Sequence, residues 1–291
     1  MAEKTSARGW FPAIASAVLL GAVAVTAAAS PAVAARHSAP TSGASHPPGY
    51  VIVRGGPFTA TPGTFDSGGS AACPAGTVVW GGGVAFSGGS NASLNVNTSE
   101  PSGSGGWEAR VNNTGTATVQ FLVDAICANK PTGYKLVFKI VDNPPNTQSH
   151  ATAICPSPKV LLGGGTLSTS DQAPAILTSA WPQSSTRFTA YMFNGTTTDA
   201  QLDVLAVCGH KPTGYQIASN SASVDPGFTL VDGIGCPAGT SALSGGTQDP
   251  DHVPVVQVGG SIDQGSFGWA INVNNTGQSV HQVNGYVICA A

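Results

Sequence analysis

Charge is scarce in this chain: only 9% of its 291 residues are Asp, Glu, Lys or Arg, and the formal net charge is −3. With no basic stripe and no long charge run, the electrostatic footprint that nucleic acid or an anionic lipid surface requires is missing. Helical periodicity is missing as well, which excludes a helical or α/β architecture. No Cys-x-x-Cys pair occurs, which argues against a zinc site built from the six cysteines. No G-x-S-x-G elbow, no H-E-x-x-H helix and no supported Ser/His/Asp set appears.

What is present is repetition. Three stretches open on a cysteine, run into a short apolar strand and end on glycines: CPAGTVVWGGG from Cys73, CPSPKVLLGGG from Cys155 and CPAGTSALSGG from Cys236. A second cysteine follows each at a nearly constant distance, at Cys127, Cys208 and Cys289. Self-similarity at a fixed period near 81 residues identifies a repeat architecture, which outranks any local motif. Of the many connectivities six cysteines allow, pairing within repeats treats every repeat alike, giving Cys73–Cys127, Cys155–Cys208 and Cys236–Cys289. In the chain-entropy model each such bridge contributes roughly 4 kcal/mol. Repeats also simplify the search for catalysis, because a catalytic residue should stand where one repeat departs from the others. His150, His210, His252 and His281 occupy four different repeat positions, and the acids scatter similarly.

Residues 1–34 read as a signal peptide: Lys4 and Arg8, an apolar run from Trp10 through Ala29, then the small-x-small site Ala32-Val33-Ala34. An uncleaved anchor is the alternative, since the run approaches the roughly 20 residues that span a bilayer. Cleavage would leave a secreted, extracellular chain with no membrane attachment, in the compartment where disulfides persist. Residues 35–49, rich in Pro, Ser and Ala, read as a flexible linker that leaves His37 and His46 in solvent. The repeats then occupy 50–130, 131–211 and 212–291. They open at Tyr50, Tyr134 and Tyr215, the last two each preceded by Lys-Pro-Thr-Gly.

Apolar runs bounded by Gly, Pro, Asn and Asp predict six short strands per repeat, at 50–54, 64–73, 77–86, 93–99, 107–112 and 117–127 in the first. The fifth strand alternates, with Trp107, Ala109 and Val111 on a core face, matched by Phe188, Ala190, Met192 and by Trp269, Ile271, Val273. Asn113, Asn194 and Asn275 follow, each with a glycine one or two residues on, which is turn chemistry using a residue that tolerates the left-handed region. The sixth strand places Cys127 on the same face as Phe121, Val123 and Ala125, so the disulfide belongs to the core side. The glycine triplets lack the following helix that a phosphate loop needs; they read as a bulged strand against which a side chain of the Trp107 type lies close. The expected fold is all-β: three tandem disulfide-stapled β-sandwich-like repeats of about 81 residues, with a single three-fold β-prism as the alternative. An open array is favoured over the prism by Thr189, Tyr191 and Phe193, which make the outward face of the middle repeat the most apolar of the three.

Two places depart from the shared pattern and become candidate ligand contacts. The loop Asp249-Pro250-Asp251-His252 varies while the scaffold holds; its counterparts are FSGGSNAS in the first repeat and STSDQAP in the second. Two carboxylates are far short of the 6 to 8 oxygens calcium takes, so the loop reads as a solvated turn and no metal is expected. Trp181, whose counterparts are Glu100 and Ile262, reads as near the surface, where with Tyr191 and Phe193 it would meet a sugar face or a partner. Trp80, aligned with Leu162 and Leu243, reads as core. No catalytic residue and no cofactor is expected.

The Cys-Pro-x-Gly turn, Gly-Gly-Gly strand, Trp, Asn and terminal Ala-x-Cys resemble an uncharacterised module of small exported actinobacterial proteins, here over residues 50–291 in three copies. Ser244 departs from it at the first glycine and Pro158 at the glycine of the turn. The resemblance brings no activity and no functional residues. Three-fold β repeats are also similar in architecture to β-prism proteins such as the egg vitelline outer-layer protein and jacalin-type lectins, which says little about function. The function expected is that of an exported, non-catalytic surface or matrix protein. It would adhere, or bind polysaccharide or cell-wall glycan, through three weak sites that gain strength together. The alternatives are a secreted glycosidase-like hydrolase and a protein-binding effector or inhibitor.

Overall fold

The computed structural model describes residues 45–87, 93–169 and 175–291. The expected signal peptide, His37, most of the linker and parts of the two counterpart loops lie outside these residues. No helix among the described residues is long and apolar enough to cross a membrane. The described residues belong to one compact unit.

Each repeat supplies six strands, as expected. The first has β1 (Val51–Ala60), β2 (Thr64–Ala72), β3 (Thr77–Ser87), β4 (Leu94–Pro101), β5 (Gly106–Asn113) and β6 (Val119–Asn129). The second has β7 (Lys135–Asn143), β8 (Thr147–Ile154), β9 (Val160–Ser168), β10 (Ala175–Ser184), β11 (Arg187–Asn194) and β12 (Ala200–Gly209). The third has β13 (Gln216–Val224), β14 (Thr229–Gly235), β15 (Ser241–Gln248), β16 (Val256–Asp263), β17 (Gly268–Asn275) and β18 (His281–Ala290). Within the first repeat β1-β6-β3 packs on β2-β5-β4 as a small sandwich, and the other two repeat this arrangement. The alternating residues read from the sequence fill it: Trp107, Phe188, Trp269, Phe121 and Met192 are fully buried, and Trp80 is core. The three disulfides pair as expected, Cys73–Cys127, Cys155–Cys208 and Cys236–Cys289. Each ties the residue just after the second strand of its repeat to the sixth strand, stapling one half-sheet to the other.

The half-sheets do not end at the repeat boundary. Three six-stranded sheets run β1-β6-β3-β16-β17-β14, β2-β5-β4-β9-β12-β7 and β13-β18-β15-β10-β11-β8. The first therefore joins repeats 1 and 3, the second repeats 1 and 2, and the third repeats 2 and 3. This order is cyclic, so the three sandwiches close on one another and the open array is corrected to the closed alternative. The joins, here called the first, second and third seams, are single bridges at repeat-equivalent positions: Ser261 with Val84, Ser99 with Thr166, and Ala180 with Thr247. The seam strands carry little of the alternation of a half-exposed strand; β4 is buried at seven of its eight positions, because a neighbour covers each face.

The glycine triplets make this closure possible. A side chain on the middle glycine would strike the repeat's own aromatic ring, Trp107 at Gly82, Phe188 at Gly164 and Trp269 at Gly245, as the sequence reading expects. The third glycine, Gly83, Gly165 or Gly246, lies against the backbone of the neighbouring repeat at Ser261, Ser99 or Ala180. The first position, Gly81, Gly163 or Ser244, is where the three repeats meet one another. Three tyrosines close the same ring: Tyr50 Oη donates to Ala242 O at 2.8 Å, Tyr134 to Val79 O at 2.9 Å and Tyr215 to Leu161 O at 2.7 Å. Burial pushes all three phenols well above the usual tyrosine range.

Two expectations change here. Residues 45–49 are docked rather than loose: His46 stacks on Tyr50 and its Nδ1 lies 2.6 Å from Ser241 Oγ, which itself donates to Ser45 O. His46-Pro-Pro-Gly-Tyr50 is the first repeat's version of Lys-Pro-Thr-Gly-Tyr, in which Lys130 and Lys211 sit over Tyr134 and Tyr215. The turn asparagines, for their part, do not use the left-handed region. Asn113 clamps its turn with its side chain, accepting from Gly115 N and donating to Ala60 O and Ala117 O, and Asn194 and Asn275 do the same at their own turns.

Candidate functional site

Strand β11 alternates Phe188, Ala190 and Met192 in the core with Thr189, Tyr191 and Phe193 on the opposite face. Trp181 of β10 stands opposite Thr189 and so shares that face, beside the third seam. Across the seam, the loop after β15 brings Asp249, Asp251 and His252 of the last repeat onto it. The closed ring thus assembles candidates from two repeats that are more than 50 residues apart in sequence.

The assembly is a stack of rings. His252, held in the left-handed region at φ 52°, lies on Tyr191 with centroids 3.8 Å apart and planes 4° from parallel. His150 stands directly opposite Tyr191 in the β8–β11 ladder and stacks on it at 4.8 Å and 13°. Trp181 completes the group, 5.9 Å from Tyr191 and 6.1 Å from His252. Such cross-strand and stacked pairs stabilise by about 0.5–1.5 kcal/mol each beyond the area they bury. Of the four rings His150 is the exposed one.

Asp249 is buried and shapes the loop. Its Oδ1 accepts from Asp251 N at 3.0 Å, its Oδ2 accepts from Val253 N at 2.7 Å, and its own N–H donates to Ser179 Oγ at 2.9 Å across the seam. Burial raises its pKa and the two backbone donors oppose that rise. The reading of 249–252 as a solvated turn is therefore corrected: a carboxylate committed to the backbone anchors this turn to the neighbouring repeat. Asp251 is exposed and faces His281, with Nδ1 to Oδ2 at 3.3 Å. Ligand atoms of Asp249, Asp251 and His281 lie within 4.8 Å of one another. Both Asp249 oxygens already accept backbone N–H groups, and the set falls well short of a calcium shell, so the group fits a loop staple better than a cation site. The rim is completed by Gln248, whose Oε1 accepts from Tyr286 Oη at 2.8 Å and Asn284 Nδ2 at 3.2 Å.

Trp181 is only 4% exposed, so its expected place near the surface is corrected. Its counterparts Glu100 and Ile262 are buried to a similar degree, at 8% and 9%. The position tolerates charge in sequence because Glu100 is held protonated. Burial, then the charge and hydrogen bond of neighbouring Glu108, push its carboxyl up to about 8. Phe193 lies on the same face, half-buried opposite Ile176 and Gln148, and takes no part in the ring stack. His150 and His281 were not singled out by the sequence. The one available signal was that each breaks the repeat, standing where the other two have Gly68 and Val231, or Val119 and Ala200.

The other seams carry different chemistry. At the first, Arg54 pairs with buried Asp124, which in turn meets Asp263. At the second, Glu100 meets Glu108, with Arg110 and Asp66 paired at 2.8 Å beside them. Glu100 stands directly opposite Glu108 in the β4–β5 ladder, and the charge of Asp124 acts on Asp263 across the first seam. No protein-family model matches the chain, and the search of curated proteins finds no match.

Proposed function

We propose that this is an exported, non-catalytic binding protein whose third seam contacts polysaccharide, with cell-wall glycan as the leading class. The observation that carries this reading is the ring stack His150, Tyr191, His252 and Trp181, bordered by Asp251, His281, Gln248 and Thr189 and held by a disulfide-stapled scaffold. A sugar presents C–H faces and a hydroxyl rim. An exposed imidazole backed by stacked rings, beside a carboxylate and an amide, offers a surface of matching character. Three disulfides support an oxidising, extracellular setting. The expectation of three like sites gives way to one: the positions of Trp181, Thr189 and Tyr191 hold Glu100, Glu108 and Arg110 at the second seam and Ile262, Ala270 and Asn272 at the first.

The test is retention of the oxidised protein on insoluble peptidoglycan, chitin and cellulose. The wild type should be retained on at least one. His150→Ala, which truncates the exposed ring, should weaken retention about tenfold, and Asp203→Asn on β12, away from the stack, should not. Wild type that washes through all three matrices, or equal retention of both variants, overturns the reading.

A further inference from the structure

The first seam differs from the other two in what it must do. The second and third seams join repeats that follow one another in the chain, whereas the first joins the first repeat to the last and so closes the ring. At this seam Asp124 of β6 stands opposite Gly83 of β3, β6 and β16 approach one another across β3, and the charge of Asp124 acts on Asp263 at the end of β16. Both acids are buried, at 0% and 6% exposure. Arg54 of β1 binds Asp124, with Nε to Oδ1 at 2.9 Å and Nη2 to Oδ2 at 2.6 Å. Asp263 Oδ1 accepts from Gly265 N at 3.0 Å, while its Oδ2 is buried and receives no donor.

The charge balance does not close with both acids ionised. Two buried carboxyls face one guanidinium, which already spends two donors on Asp124, and one Asp263 oxygen lacks any hydrogen to accept. A proton on Asp263, donated to Asp124, satisfies the bare oxygen and leaves one anion for one cation. Burial first, then the hydrogen bond and charge of Asp124, hold the Asp263 carboxyl up near 7. Tyr50, whose phenol Asp263 also pushes up, is the other titratable group facing the pair. Strands β3, β15 and β17, packed on β16, carry no titratable side chain, and Glu100 of β4 is engaged with Glu108 at the second seam. Elsewhere the seam cannot work this way: Leu205 and Tyr286 replace Asp124, and Pro101 and Pro182 replace Asp263.

We propose that the first seam is a proton-operated latch, in which a hydrogen shared between Asp263 and Asp124 holds the first and last repeats together and its loss opens the ring at that seam. The sign follows from linkage. A carboxyl whose pKa is higher in the closed seam than in the open one stabilises closure fully at acidic pH and loses that contribution as pH rises through about 7. Opening should therefore become about ten- to a hundredfold more frequent between pH 5 and pH 8.

Hydrogen exchange of backbone amides in the intact, oxidised protein measures this, after correction for the intrinsic pH dependence of exchange. Amides of β16 near Ser261 and of β3 near Val84 should lose about ten- to a hundredfold of their protection from pH 5 to pH 8, while equivalent amides of β10 and β15 at the third seam keep theirs. Equal behaviour of the first and third seams in the wild type overturns the proposal without recourse to a variant. Asp263→Asn, permanently uncharged, should flatten the difference. If the difference survives in Asp263→Asn, the titrating group is another and the latch is again refuted. Asp124→Asn removes the neighbouring charge and should move the midpoint of the transition to lower pH; an unmoved midpoint counts against the shared hydrogen.

Discussion

Gly83→Ala tests the closure of the ring with a single methyl group. A β-carbon there would sit inside the van der Waals radius of Ser261 O, 2.9 Å from Ser261 C and 3.0 Å from Ile262 Cα. Every one of these atoms is backbone, and it belongs to a different repeat, so no side chain can swing away to make room. The seam must part or β3 must shift, and β3 is fixed on its other side by a ladder to β6. Overpacking a well-packed interior typically costs about 1–3 kcal/mol, and backbone meeting backbone belongs at the top of that range, about 3 kcal/mol. For a domain of this size each kcal/mol moves the melting temperature by roughly 2–4 °C, so the variant should melt about 6–12 °C lower. Gly235→Ala is the control: a β-carbon there meets nothing within 4 Å, and its effect should stay within about 0.5 kcal/mol. Calorimetry of the two oxidised variants beside the wild type gives the comparison. If they melt within about 2 °C of each other, the third glycine is not a contact between repeats and the ring closure argued from it fails.

Glu100→Gln should raise stability at pH 8 by about 1–2 kcal/mol and leave it unchanged near pH 4, since a carboxyl held up to about 8 loses its contribution as pH rises and the amide has none to lose; melting curves across pH check it. Cys155→Ala with Cys208→Ala should cost about 4 kcal/mol in denaturant midpoint titrations, by releasing a 53-residue separation in the unfolded chain, and Cys155→Ala alone should leave Cys208 open to thiol reagents on unfolding.

The repeat structure was legible because it is written locally. Period, strand count, disulfide pairing and the core face of the fifth strand all follow from spacing and from alternation, which a single sandwich obeys on its own. The seams were not legible, because strand pairing across repeats leaves no alternation to read. Glu100, Trp181 and Ile262 look like a position that tolerates anything, and such variety normally marks a surface. It is buried in all three repeats, and Glu100 is accommodated by staying protonated beside Glu108. The one sequence signal of the seam was the third glycine of each triplet, which no ring in its own repeat needed. The ring stack was half legible. Trp181, Tyr191 and His252 stood out as departures from the repeat, but only cyclic closure places the last repeat's loop on the middle repeat's sheet.

Comparing the three repeats with one another separates scaffold from site in physical terms. Trp107 Nε1 donates to Ser99 Oγ at 2.9 Å and Trp269 Nε1 to Ser261 Oγ at 2.7 Å. The middle repeat has Phe188 in place of the tryptophan, and Ala180 in place of the serine. A buried indole N–H without an acceptor, or a buried hydroxyl without a donor, would cost about 1–3 kcal/mol, so donor and acceptor change together. Scaffold positions thus vary in compensating pairs that keep the same shape. The seam positions vary without such compensation: where the third seam has Trp181, Thr189 and Tyr191, the second has Glu100, Glu108 and Arg110 and the first has Ile262, Ala270 and Asn272, all on one unchanged frame. A rigid three-fold scaffold that keeps its core while its three seams diverge has three different surfaces to use. That is the reason to look for ligand at the third seam and for pH response at the first, rather than for one activity repeated three times.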